Sequence, residues 1–383
     1  MIQAPTAQSM VPFNLPYSSP LALAEIERTL ATARLSGNGA NTRACQEILR
    51  EITGSHRVFL TPSCTAALEM SAVLLDLKPG DEVIVPSFTF VSTACAYALV
   101  GARPVFADVS PTTLNVDVAS VEAAITPRTR AVVVVHYAGV ACPLDELVEL
   151  CARRGLHLVE DNAHGLFGRY RERSLGTFGS LATLSFHETK NVSCGEGGAL
   201  LVNDPALVER AEIAQEKGTD RSRFLMGMLD KYTWVSRGSS YLLGEVPAGL
   251  LLANLRDREV SQRRRLEIWW RYHRELESWA RQRDYQQPII PDGCVQPAHL
   301  YYLLLPDLAE RQAFIDHLKK ASVQAVFHYQ PLHLSPMGKS LGAQPGQCPV
   351  AERVANQLVR LPLFADLTDI EQDRVIAAIL SWR

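Results

Sequence analysis

Between residues 57 and 204, short unbroken runs of valine, isoleucine, leucine and phenylalanine alternate with longer stretches whose apolar positions recur every three or four residues. The short runs are RVFL (57–60), EVIVP (82–86), PVFADV (104–109), RAVVVVH (130–136), LHLVED (156–161), LATLSF (181–186) and GALLVND (198–204). They have strand length, and the segments 65–77, 89–100, 118–125 and 144–154 between them read as helices. Strands that are apolar at every position, separated by helices, predict βαβ units and a mostly parallel sheet covered on both faces. Such sheets bind ligands beyond the carboxyl ends of their strands. Asp161, His136 and Ser185 fall at those ends.

Beyond residue 203 the pattern changes. A helical stretch (205–217) leads into a connector rich in glycine and serine, from KGTDRSRF to RGSSY (217–241). An apolar helix (240–255) and a charge-rich helix (257–283) are expected next. After PDG (291–293), strands at 300–305 and 323–328 and helices at 309–321, 349–358 and 369–381 complete a smaller α+β unit. The expected organisation is a flexible extension (1–10), a large domain (11–255) and a small C-terminal domain (256–383). No internal repeat or low-complexity tract interrupts it.

The 383 residues are 47% hydrophobic and 21% charged, enough for a large core, with a formal net charge of −3 at pH 7. The triplet Arg263 to Arg265 lies in a charge-mixed helical stretch and reads as a solvated face, so no nucleic-acid partner is expected. Eight cysteines without a CxxC spacing speak against a zinc site and a disulfide framework, and point to the cytoplasm. No apolar run approaches ~20 residues, and the first ten residues do not read as a signal peptide, so no membrane association is expected. His187-Glu188 begins like a zinc-binding HExxH, but Asn191 stands where the second histidine must be. Neither a Walker A motif nor a GxGxxG turn follows a strand.

The chemistry concentrates in SFHETKN (185–191) and the CGEGG turn (194–198). Lys190 follows an apolar strand. Taken alone it is a surface lysine; with Asp161 at an upstream strand end, it suits a Schiff-base lysine paired with a carboxylate that holds a ring nitrogen protonated. PSCTAALEM (62–70) opens a helix with small and hydroxyl residues, an ordinary N-cap or a phosphate cradle. Phe90 in SFTFVST is a core aromatic or a stacking platform. FHYQPLH (327–333) carries His328, Tyr329 and His333, structural residues by default and candidate sugar contacts otherwise.

Through LTPSCTAALEM, GDEVIVPSFTFVSTA, VHYAGVAC, SFHETKN, EKGTDRS, PDGCVQPAH, AVFHYQPLH and RLPLF, the chain resembles the DegT/DnrJ/StrS sugar aminotransferases from about residue 11 to 382. Within them it is most similar to the subgroup that makes dTDP-4-amino-4,6-dideoxygalactose. The resemblance implies the fold type I, aspartate aminotransferase-like architecture and a pyridoxal 5′-phosphate (PLP) cofactor cycling through its amine form (PMP). It implies Lys190 as the catalytic lysine, Asp161 on the ring nitrogen, His164 near the ring hydroxyl in place of a common glutamine, and Phe90 against the ring. Thr65, Ala66 and Ser185 would hold the phosphate. It further implies a dTDP-sugar substrate, L-glutamate as amino donor, and a homodimer with sites at the interface. Leu242 stands where many members carry an asparagine that reaches the neighbouring subunit's phosphate, with Ser239 or Ser240 as substitutes, and Pro247 replaces a common glutamine or asparagine. For the glutamate carboxylate the sequence offers Arg221 and Arg237. Other readings are a 3-keto-sugar transaminase, a PLP-dependent sugar dehydratase and a non-catalytic PLP-binding regulator. Lys190 is intact, whereas some dehydratase relatives have histidine there.

Overall fold

A computed structural model describes residues 10–383. The flexible extension expected over 1–10 lies, apart from Met10, outside the described residues. Helices α1 (Ala22–Ala31) and α2 (Ala40–Thr53) precede a long alternating region. It comprises β1 (Arg57–Thr61), α3 (Cys64–Leu74), β2 (Glu82–Pro86), α4 (Ser92–Leu99), β3 (Arg103–Ala107), α5 (Val118–Ala124), β4 (Thr129–Val135), α6 (Leu144–Arg154) and β5 (His157–Asp161). A short ribbon, β6 (Arg169–Tyr170) and β7 (Arg173–Ser174), leads to β8 (Leu181–Ser185) and β9 (Gly198–Val202). Then come α7 (Val208–Gln215), α8 (Arg221–Leu225), α9 (Glu245–Arg256) and α10 (Arg258–Gln282). The remainder holds β10 (Cys294–Val295), β11 (Tyr301–Leu304), α11 (Leu308–Lys320), α12 (Pro336–Ser340), α13 (Pro349–Gln357), β12 (Leu358–Leu361) and α14 (Asp369–Leu380).

Seven strands form the main sheet in the order β1-β9-β8-β5-β4-β2-β3. All neighbours from β8 to β3 are parallel, while β9 runs antiparallel to both β8 and β1. Every residue of β2, β8 and β9 is buried, which is why these runs carry no polar alternation. The two faces separate by residue parity. Val133 of β4 packs with Leu68, Met70 and Tyr97 from α3 and α4, whereas Val132 and Val134 pack with Leu147 and Leu150 of α6. A second core gathers Ile268, Trp269 and Tyr272 of α10, Tyr301 and Leu303 of β11, Phe314 of α11 and Ile376 of α14. Val11 joins it: its N–H donates to the Ser322 carbonyl at 2.9 Å, and Gln324 N–H donates to the Val11 carbonyl at 3.0 Å.

Two expected elements differ. The apolar helix starts at Glu245 rather than 240, because Gly244 is extended at ψ 156° and the chain before it runs without helical turns. Residues 323–328 do not form a strand. They make only single bridges, Val323 to Val11 and Val326 to Arg360, before the backbone turns at Tyr329 with φ of +38°. The pairing strand for β11 is β12, of which the expected helix 349–358 takes in only Leu358. Among the described residues no helix is long and apolar enough to cross a membrane.

Candidate active site

The carboxyl ends of β4, β5 and β8 open into a cavity of about 800 Å³, lined there by Val135, Asp161 and Ser185. The starts of α3 and α4 close one side with Cys64, Thr65 and Ser92, and residues 326–329 with Arg360 close the other. Lys190 enters from the turn after β8.

Asp161 is buried and held at both oxygens. Thr93 Oγ1 donates to Oδ2 at 2.7 Å, and Ala163 N–H donates to Oδ1 at 3.2 Å. Burial nonetheless raises the carboxyl pKa above its ordinary value, against those donors and the nearby Lys190. A cation facing Asp161 would offset that cost. Burial pushes Lys190 down to about 8, opposed by Cys64 and Asp161 and reinforced by Arg360. The amine is therefore neutral in a sizeable fraction of molecules near neutral pH, as an attacking nucleophile must be.

His164 is buried, which holds its pKa well below the ordinary histidine range. Its Nδ1 accepts the Ala138 N–H at 3.3 Å, so the proton of the neutral ring sits on Nε2, 3.2 Å from the Tyr329 hydroxyl. His299 stacks on His164 with centroids 4.3 Å apart and is fixed by Asn191, whose Oδ1 lies 3.0 Å from His299 Nδ1. His328 and Tyr329 stack at 3.5 Å, and the Tyr137 hydroxyl lies 2.8 Å from His328 Nδ1. These rings form a largely uncharged wall. Phe90 adjoins this wall at Tyr329, with centroids 6.4 Å apart, and its ring is 57% accessible.

At the α3 terminus, Thr65 Oγ1 lies 2.7 Å from Ser92 Oγ. The Ala66 N–H, expected to meet a phosphate, instead donates to the Ser63 N-cap at 3.0 Å. The N–H groups of Cys64 and Thr65 in the first turn have no helical acceptor, and both residues line the cavity. β9 passes close beneath this turn: a Cβ at Gly198 would lie 2.4 Å from Cys64 N and Ser63 C. The glycine of the CGEGG segment thus lets the sheet approach the helix start.

Three sequence candidates lie elsewhere. His333 is buried away from the cavity between Ser87, at 2.5 Å, and Glu352, at 2.9 Å, where it ties the small unit to β2's following loop. Arg221 pairs with Glu216 at 3.4 Å and Arg237 with Asp76 at 3.6 Å, both outside the cavity. Conversely, Thr93, His299 and Arg360 belong to the site without having been singled out. Thr93 is the second residue of the helix that follows Phe90, and Arg360 opens the RLPLF segment.

A profile of the DegT/DnrJ/EryC1/StrS aminotransferases matches residues 18–380. The chain belongs to this family. Among curated relatives, the spore coat polysaccharide biosynthesis protein SpsC of Bacillus subtilis is 32% identical over 383 residues, covering 95% of this chain and 96% of SpsC. The aminotransferase TlmJ of Streptoalloteichus hindustanus superposes with a TM-score of 0.88 at 34% identity, covering 97% of this chain and 98% of TlmJ. Spr1654 of Streptococcus pneumoniae, solved in PLP and PMP forms, superposes with a TM-score of 0.89 at 26% identity over 97% of this chain and 98% of its own. The chain is accordingly a PLP-dependent sugar aminotransferase with the family's α/β fold. The cavity suits that cofactor chemically: it offers a desolvated amine, a buried carboxylate short of a cation, an exposed aromatic face and free helix N–H groups.

Proposed function

We propose that the protein transfers the amino group of L-glutamate to C4 of dTDP-4-keto-6-deoxy-D-glucose, giving dTDP-4-amino-4,6-dideoxy-D-galactose and 2-oxoglutarate. The observation that carries the reaction class is the desolvated Lys190 facing the same cavity as buried Asp161. The sugar rests on the resemblance of the segments from LTPSCTAALEM to RLPLF to that subgroup.

Bound PLP supplies an electron sink that stabilises negative charge at the carbon losing its proton. Asp161, its carboxylate aimed by Thr93 and Ala163, would hold the proton on the ring nitrogen, and Phe90 would supply an aromatic face for the ring. Cys64 and Thr65 N–H groups, with the Thr65 and Ser185 hydroxyls, take the phosphate. Lys190 Nζ removes a proton from the donor's α-carbon and later delivers one to sugar C4. The face from which Lys190 delivers it fixes the axial amine of the galacto product. Neutral His164, fixed by Ala138 and Tyr329, would meet the ring hydroxyl, and His328 and Tyr329 would border the sugar. Exposed Leu225, Met226, Met228 and Trp234 between α8 and α9 offer an apolar surface suited to a second copy, in keeping with a homodimer.

The test incubates purified protein with PLP, L-glutamate and dTDP-4-keto-6-deoxy-D-glucose and reads the product by mass and by proton NMR at C4. An axial amino group is expected. A cofactor aminated by glutamate with no amino sugar formed would move the search to 3-keto sugars and other nucleotide carriers.

A further inference from the structure

Arg360 is the one arginine, among the described residues, that lines the cavity. It sits on β12 opposite Tyr302 of β11 and bridges to Val326, so its backbone is fixed on both sides. Its guanidinium is poorly satisfied. One terminal nitrogen donates to the Phe327 carbonyl at 3.0 Å, and the group lies 4.7 Å from the centroid of the Phe13 ring. Nε is buried with no hydrogen-bond partner. The ion pairs formed among the described residues include none to Arg360, and residues 1–9 contain no aspartate or glutamate. A partly buried guanidinium without an acid is costly, and the partial burial lowers its proton affinity. The cost is recovered when a ligand brings a negative charge to the fork.

We propose that Arg360 is the anion anchor of this cavity and takes a carboxylate of the amino donor. The inference rests on the aminotransferase reading above and adds the residue that recognises the donor. Two features favour a carboxylate. The planar fork matches it, and the site is close enough to Lys190 for Arg360's charge to lower that amine's pKa. A phosphate of the nucleotide sugar is an anion too, and the experiment separates the two.

Binding of 2-oxoglutarate and, separately, of dTDP is measured by calorimetry on the PLP-loaded wild type, Arg360→Met and Arg360→Lys, a form with which the keto acid does not react. We expect Arg360→Met to weaken 2-oxoglutarate about 10- to 100-fold, the loss of a charge-assisted pair, with dTDP affinity unchanged. Arg360→Lys recovers part of the loss by keeping the charge without the fork. Unchanged dTDP binding also shows that the variants are folded. Equal 2-oxoglutarate affinity in all three proteins overturns the proposal, as does a loss confined to dTDP. The aminotransferase reading fails on a different observation: wild-type protein that never converts PLP to PMP with any amino acid donor.

Discussion

The Thr93 hydroxyl reaches across from α4 to Asp161 on the neighbouring β5 and donates to Oδ2 at 2.7 Å. Thr93 Oγ1 lies 2.9 Å from Thr89 Oγ1, so a chain of two hydroxyls ends on the buried carboxylate. Without that donor Asp161 would be more reluctant to ionise, and a protonated ring nitrogen would lose its counter-charge. Thr93→Val keeps the shape and removes the bond. It should weaken PLP binding about tenfold, the worth of one hydrogen bond to a charged group. Spectroscopic titration of apoprotein with PLP, beside an unfolding curve, checks this; unchanged affinity would show that Ala163 alone orients the carboxylate.

Lys190 should show its environment in the rate at which apoprotein captures PLP. The neutral amine attacks the aldehyde, so the rate rises as pH increases and levels off once the amine has lost its proton. With burial holding the pKa at about 8, the rate should be half-maximal near that pH and flat by about two units above it. A solvated lysine would still be gaining rate above pH 10. Stopped-flow absorbance across pH 6 to 10 measures the profile. Lys190→Ala should show no covalent capture at any pH and lose transamination by at least about a thousandfold.

Much of this site was legible along the chain because sheet topology does the assembling. Once seven apolar runs are strands of an α/β sheet, their ends must meet, and Asp161, Ser185 and Lys190 converge without further information. What pattern alone could not supply is which distant side chains fold over that edge. Arg221 and Arg237 advertise charge as openly as Arg360 does, yet local acids in the connector and after α3 claim both. Arg360 reaches the cavity because β12 pairs with β11, a contact between segments more than fifty residues apart. His333 lies away from the cavity for a related reason. It lies close to His328 and Tyr329 in sequence, but the turn at Tyr329 sends it back toward Ser87. Helices α1 and α2 were not anticipated, and the start of α2 is completed by a residue two hundred positions away.

Gly198 tests the contact between sheet and helix start. Any Cβ there would sit 2.4 Å from Cys64 N and Ser63 C, both backbone atoms that no rotamer change can relieve. Gly198→Ala should therefore lower stability by about 1–3 kcal/mol, the usual cost of overpacking. Because the displaced turn carries the N–H groups proposed to take the phosphate, PLP affinity should fall with it. Thermal unfolding of the apoprotein and PLP titration read the two effects separately. A destabilised variant with wild-type PLP affinity would mean that the cofactor phosphate does not use this turn.

Glu245 is the distant residue that completes α2. It is buried, and its carboxylate accepts the N–H groups of Gly39 at 2.9 Å, Asn41 at 2.8 Å and Thr42 at 3.1 Å, together with the Thr42 hydroxyl. The negative charge sits where the helix dipole and the unpaired N–H groups of the first turn want one. Glu245→Gln puts an NH₂ donor among donors and leaves at least one buried N–H without a partner. The expected loss is about 2–4 kcal/mol, combining the unpaired donor with the lost charge. Glu245→Asp should fall between, since the charge remains but the shorter side chain cannot reach all three N–H groups. Neither α2 nor α9 lines the cavity, so the site should form once the protein is folded. Denaturant unfolding should show the reduced midpoint while PLP affinity, measured well below that midpoint, stays at the wild-type value.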